Sequence, residues 1–244
     1  MRTLYGLGYS GWTEKARWAL EYHRVPYRYR EHLPLLGEPL LRWHTPRGVH
    51  PSVPMLVDEA GTTTGSMLIA RRADSLGQGE KLFPSDALET LHRWEELSDK
   101  VLGVARANVV QRLMHHRQAQ KEALPGFVPG FLRGLMAPTA KLGANYLARK
   151  HRAPADVDAA IQQTAVPALE ALRAELKGRP YLMDRFTYAD INAAVMLQFV
   201  RPVEDRYLAL GPGTREIWTQ SELAGRFPDL LEWRDGLYAR HRRP

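Results

Sequence analysis

Along the first 78 residues the apolar positions recur with two different periods. "RTLY" reads as a short strand, and Trp12, Ala16, Ala19, Leu20 and His23 then fall at helical spacing. "VPYRYRE" sets Val25, Tyr27 and Tyr29 against Pro26, Arg28 and Arg30, the alternation of a second strand. A loop-rich piece with Pro34, Pro39, Pro46, Gly48 and Pro51 follows, holding one helical turn around "EPLLRW". "PMLVDEAGTTT" reads as a hairpin turning at Glu59-Ala60-Gly61, and "GSMLIARRADSLG" as a helix that begins at Ser66 and is closed by Gly77. The predicted order is β-α-β-α-β-β-α around a compact mixed sheet.

Beyond "GQGEKLFPSD" the pattern becomes helical throughout. Ser85 is expected to cap a long helix with Leu88, Leu91, Trp94, Leu97, Val101 and Leu102 on one stripe. A second carries Ile161, Ala165, Leu169, Leu172 and Leu176 and ends at Gly178. A third starts at "FTYADINAAV", where Thr187 and Asp190 form a capping-box-like pair, and a last one runs from about Glu222 through Leu223, Phe227, Leu230, Leu231, Trp233 and Leu237. The expected organisation is an α/β domain over residues 1–78, a short Pro/Gly linker, and an all-helical domain over 84–244. No internal repeat appears.

Composition narrows the chemistry. With 44% hydrophobic and 25% charged residues the chain is of ordinary globular character. Its longest nearly apolar stretch, Ala189 to Val200, contains Asp190, Asn192 and Gln198 and falls short of a membrane span, so the expectation is a cytoplasmic protein without a transmembrane segment. There is no cysteine, which excludes disulfides and any mechanism with a protein thiol as nucleophile or redox centre. The net charge of +7 is local: Arg112 to Arg152 hold eight Lys/Arg against the single acid Glu122, within a basic segment of about residues 105–155. Such a block argues against specific nucleic-acid binding by the whole surface and allows an acidic partner at Arg112–Arg152. His115-His116 is read as a solvated face, and no metal is expected.

The candidate chemistry begins at "GLGYSGW". Gly6, Gly8 and Gly11 have the spacing of a dinucleotide-binding turn, they follow a strand and open a helix, and Glu31 lies 20 residues after Gly11. A doubly wound fold needs more parallel strands than this chain offers, which sets that reading aside. The alternative is a glycine-permissive loop that delivers Ser10 to a helix N-terminus.

Five stretches in order carry a family resemblance: "YSGWTEKARWALEYHRVPY", "SVPML", "GSMLIARRADSLG", "LFPSDALETLHRWEEL" and "GRPYLMDRFTYADINAAV". Together they resemble the cytosolic glutathione transferases, with a thioredoxin-like N-terminal domain and an all-helical C-terminal domain. The likeness covers nearly the whole chain except about residues 105–155. It implies glutathione as co-substrate, a homodimer, a role in detoxification, and a thiolate that attacks a hydrophobic small molecule bound between the domains. It further implies a cis Val53-Pro54 bond, with the Val53 backbone holding the cysteinyl part of glutathione. Ser66 would receive the γ-glutamyl carboxylate at its helix N-terminus. Ser10 stands at the catalytic position, as a hydroxyl donor to the glutathione sulfur, with Tyr5 and Tyr9 as alternative donors; Ser10 as a simple N-cap fits the spacing equally.

Two positions depart from the family pattern. Gly65 stands where an acidic residue or glutamine grips the glutamyl ammonium, and Gly11 stands where a proline follows the catalytic position. They leave open a non-catalytic binding or scaffold protein that uses its basic helical segment. Ser10 and Thr13 occupy the places of a redox Cys-x-x-Cys pair, so dithiol chemistry is excluded. Trp12, Phe127 and Phe131 are the candidates for the second-substrate pocket. For the basic segment itself three readings stand: an extended lid, a docking surface for an acidic protein or membrane face, and a longer solvated hairpin.

Overall fold

The computed structural model describes residues 1–34, 36–151 and 153–243; Arg152, the last cation of the basic stretch, lies outside them. The N-terminal order is β1 (Thr3–Gly6), α1 (Gly11–Tyr22), β2 (Arg28–Glu31), α2 (Glu38–His44), β3 (Met55–Asp58), β4 (Gly61–Thr64) and α3 (Ser66–Leu76), as the periodicity predicts. The sheet runs β2-β1-β3-β4. β1 pairs parallel with β2 and antiparallel with β3, which turns back into β4. Alternation splits the strand residues between two faces. Tyr5 and Met55 form one apolar cluster with Leu41 of α2, against which Val53 and Val57 pack. Leu4 and Leu56, paired across β1 and β3, are fully buried on the other face.

The helical elements are α4 (Leu88–Leu113), α5 (Arg117–Glu122), α6 (Gly130–Met136), α7 (Ala140–Lys150), α8 (Val157–Ala160), α9 (Val166–Leu176), α10 (Tyr188–Met196), α11 (Pro212–Trp218), α12 (Ser221–Arg226) and α13 (Pro228–His241). No strand follows β4 among the described residues. By contacts the chain divides into two compact units, Met1–Ser98 with Glu175–Val195 and Glu232–Pro244, and Asp99–Ala174 with Met196–Leu231.

Three details differ from the sequence expectation. Ser85 does not cap α4: Pro84 is the N-cap of a 3-10 turn, Ser85–Ala87, that leads into it. The helix expected from Glu222 is two, because Pro228 has no N–H to continue the α12 ladder and instead starts α13. The helix through Ile161 begins at Val157 and contains a π turn over Ile161–Ala165.

The first unit is tied to the chain's end. Trp18 Nε1 donates to the His241 carbonyl at 3.0 Å, Tyr181 hydroxyl meets His241 Nε2 at 2.9 Å, and Phe186 stacks on the His241 ring at 4.0 Å. Arg242 reaches back to α1, with its Nε and Nη2 on the Glu14 carboxylate at 2.8 and 3.1 Å and Nη1 on Glu21.

The Thr187–Asp190 pair forms as predicted. The fully buried Asp190 carboxylate accepts from the N–H groups of Leu182 and Thr187, each at 2.8 Å, and from the Thr187 hydroxyl at 3.1 Å. Burial nonetheless outweighs these donors and pushes the carboxyl up to about 6. The native state therefore holds a proton that the unfolded chain, at about 3.8, has lost. This group's contribution is fully favourable below about pH 4 and is lost as pH climbs through about 6, a swing of about 3 kcal/mol. Urea unfolding of wild type and Asp190→Asn at both ends of that window should show wild type gaining about this much over the variant on acidification. A difference that stays flat with pH would mean that the carboxyl titrates alike in both states.

In the second unit, the Glu122 carboxylate caps the N-terminus of α11, accepting from Gly213 N–H at 3.1 Å and from Thr214 N–H and hydroxyl at 2.7 and 2.8 Å. Partial burial raises its pKa, but these donors and Gln118 outweigh burial and hold it below the usual value. His116 accepts from Ala119 N–H as the cap of α5 and has Glu216 3.3 Å from its Nε2, so it is a capping residue with a carboxylate neighbour rather than merely solvated.

Candidate active site

The topology gathers the candidate residues at one end of the sheet. β1 ends at Gly6 and leads into α1; β4, which runs parallel to β1, ends at Thr64 and leads into α3. The two helices pack against each other and both start at that end. β3 starts there as well, because Tyr5 pairs with Met55 and Met55 with Thr64. The cis Val53-Pro54 bond thus precedes β3 beside the start of α3, and the Pro54 carbonyl accepts from Gly65 N–H at 3.0 Å. Two helix N-termini with unspent N–H groups make this edge favourable for negative charge.

Ser10 is the N-cap residue of α1, with extended backbone angles, and its side chain makes no capping hydrogen bond. Its own N–H donates to the Leu7 carbonyl at 2.9 Å, which folds the loop into a turn. Thr13 supports that turn from below: it is fully buried and its hydroxyl accepts from Leu7 N–H at 3.2 Å. Gly6 is required at this contact, since a Cβ there would lie 2.4 Å from Thr13 Cγ2. A further donor of the glycine turn is taken by the chain itself. Gly8 N–H faces both Glu31 carboxylate oxygens, at 3.0 and 3.2 Å, and Tyr29 hydroxyl donates to the same carboxylate at 2.7 Å. That arrangement, with a four-stranded sheet among the described residues, leaves no pyrophosphate cradle.

The two tyrosines are placed differently. Tyr5 is buried in the Leu41–Met55 cluster with its hydroxyl 3.4 Å from His44 Nε2. Tyr9 keeps 40% of its surface exposed, yet desolvation of its hydroxyl and the nearby Glu31 carboxylate push the phenol up to about 12. It stays protonated at neutral pH.

At the second helix N-terminus, Gly65 is the N-cap residue with φ of 89°, a conformation open to glycine, and a Cβ there would meet nothing within 4 Å. Ser66 is the first residue of α3 and buried; its hydroxyl lies 3.5 Å from Glu95 Oε1, the outer limit of a hydrogen bond. Glu95 also pairs with the fully buried Lys15 Nζ at 3.1 Å, so one carboxylate from α4 links α1 to α3. Sequence reasoning missed this pair. The signal was a lysine on the helix face shared with Gly11, Trp18 and Tyr22.

Trp12 sits half-buried in the first turn of α1, whereas Phe127 and Phe131 are 71% and 85% exposed. Among the described residues no group of three or more His, Asp or Glu is placed to hold a metal.

Comparison with known proteins agrees with this architecture. No curated protein matches the sequence significantly. Among solved structures, a glutathione S-transferase from Methylobacillus flagellatus with glutathione bound superposes at a TM-score of 0.58, 20% identity, covering 98% of this chain and 96% of that one. The beta-etherase LigF from Sphingobium superposes at 0.61 with 17% identity over 98% and 95%. Glutathione S-transferase I from maize, in complex with an atrazine glutathione conjugate, gives 0.60 with 18% identity over 98% and 92%. Residues 4–81 match the profile of the glutathione S-transferase N-terminal domain, and residues 146–236 match that of the C-terminal domain. With both domain profiles met in order along one chain, the protein belongs to the glutathione S-transferase family.

Proposed function

We propose that the protein is a glutathione transferase-like enzyme in which Ser10 donates a hydrogen bond to the glutathione thiolate. The observation that carries this reading is the convergence of two helix N-termini at one sheet edge, with an uncapping Ser10 hydroxyl at the first and Ser66 at the second. The first favours a thiolate and the second a carboxylate, and glutathione carries both groups. Val53 and Pro54 would meet the cysteinyl backbone between them, and Gly65 leaves room at the glutamyl end. Neighbours solved with glutathione or a glutathione conjugate support the same ligand. Trp12, two residues after Ser10 in the first turn of α1, would meet the electrophile. The setting that goes with this reading is a cytoplasmic homodimer acting on hydrophobic electrophiles.

A second reading, a binding protein that keeps the fold without turnover, is favoured by Gly65, which supplies no acceptor for the glutamyl ammonium. Calorimetric titration with glutathione decides between them when followed by turnover of an activated aryl halide. Binding at millimolar glutathione with thioether formation is expected. Binding without turnover would leave the scaffold reading, and no binding at that concentration would overturn both the enzyme and its ligand.

A further inference from the structure

α6 is rich in apolar residues yet contributes no buried side chain. Phe131 and Leu135, four residues apart on it, are 85% and 80% exposed; Phe127 before it and Leu142 after it are 71% and 65% exposed. All lie within residues 82–145, outside both family-profile matches. The segment is held from beneath. The Arg133 guanidinium bonds the carbonyls of Lys121, Val128 and Pro125 at 3.0–3.1 Å and Leu124 at 3.4 Å, and Arg117 bonds the Gly134 carbonyl at 3.3 Å.

The charge around these side chains is uncompensated. Among the described residues no carboxylate forms an ion pair with Arg117, Lys121, Arg133, Lys141 or Arg149. The one acid of the segment, Glu122, is spent on capping α11. An acidic protein would be recognised through free guanidinium forks, whereas the fork of Arg133 is spent on four carbonyls and Arg117 gives its Nη2 to the Gly134 carbonyl. They act as fixed positive charge beside protruding Phe and Leu side chains. That combination suits a surface that responds to field and accepts apolar side chains without specific pairing.

We propose that residues 127–142 dock the protein on an anionic lipid surface, with Phe127, Phe131, Leu135 and Leu142 entering the interface and the flanking cations attracting the headgroups. The test is flotation of the full chain with phosphatidylcholine vesicles, with and without phosphatidylserine. The chain should float with the anionic vesicles at low salt and be released as salt rises. Phe131→Ser/Leu135→Ser should weaken partitioning about tenfold or more while leaving the melting temperature unchanged. Lys121→Gln/Lys141→Gln/Arg149→Gln should weaken it on anionic vesicles by a similar factor. Three results would overturn the proposal: no flotation with anionic vesicles at low salt; equal, salt-independent flotation with neutral ones; or preferential retention on immobilised polyglutamate. A fourth would assign the face to a second copy of the chain: the double-serine variant dissociating a wild-type dimer while floating normally.

Discussion

Arg242→Met should destabilise the protein by about 3–5 kcal/mol, read as the loss of unfolding free energy in urea. Arg242 and Glu14 are 4% and 5% exposed, and the guanidinium is shared between Glu14 and Glu21. Burial alone would lower the Arg242 pKa, but the two carboxylates outweigh it and raise it. Removing the cation takes both guanidinium hydrogen bonds from the buried Glu14 carboxylate and leaves Arg17 as a nearby positive charge, so the desolvation of Glu14 dominates the cost. For a protein with about 5–15 kcal/mol in hand this is a large fraction. Arg242→Lys should recover only part of the loss, because an ammonium does not reproduce the two-nitrogen grip on Glu14. Arg242→Met/Glu14→Leu should recover most of it, since the buried pair is then replaced by apolar groups while Glu21 keeps Arg17 and Tyr27 as partners. A loss under about 1 kcal/mol for Arg242→Met would reduce the cluster to the value of a surface pair.

Nothing in the local pattern announces that cluster. The closing "ARHRRP" reads as a solvated basic tail, and the partners of Arg242 lie 228 and 221 residues away. The same limit hid the Lys15–Glu95 pair, whose members are 80 residues apart. What was legible rests on short-range physics. Alternation placed β2, the Glu59-Ala60-Gly61 turn placed β3 and β4, and Ser66 and Gly77 bounded α3, because turns and helix ends are written in neighbouring residues. The Thr187–Asp190 box was readable at a spacing of three for the same reason. Where reading failed locally, backbone chemistry was underweighted. Pro228 following Phe227 splits an apolar stripe that looks continuous, and Pro84 takes the capping place given to Ser85. The glycine turn lay between these cases. Its spacing was visible, but Glu31 closing on Gly8 N–H depends on β2 pairing in parallel with β1, so the occupant of the turn appears only in three dimensions.

Ser10→Ala should lower turnover with an activated aryl halide about 10–100-fold and raise the pKa of bound glutathione thiol by about one to two units, with the glutathione dissociation constant little changed. A hydrogen bond to a charged acceptor contributes about 1.5–3 kcal/mol, and each 1.36 kcal/mol is one pKa unit. On the proposed function the carboxylate would sit at the start of α3, which the substitution does not touch, so the effect should fall on sulfur and spare binding. Stability separates this role from capping. A serine that closes its own helix costs about 1 kcal/mol to replace by alanine, but the Ser10 side chain makes no such bond, so the melting temperature should hold. Tyr9→Phe is the counterpart. A phenol pushed up to about 12 by burial and by Glu31 is a weak hydrogen-bond donor, and its loss should change the thiol pKa less than the loss of Ser10 does. Tyr5 offers less still, since its hydroxyl faces His44 within the Leu41–Met55 cluster. If the bound thiol titrates identically in wild type and Ser10→Ala but shifts in Tyr9→Phe, the sulfur contact belongs to the tyrosine. If neither substitution shifts it, the two helix N-termini alone set the thiolate fraction.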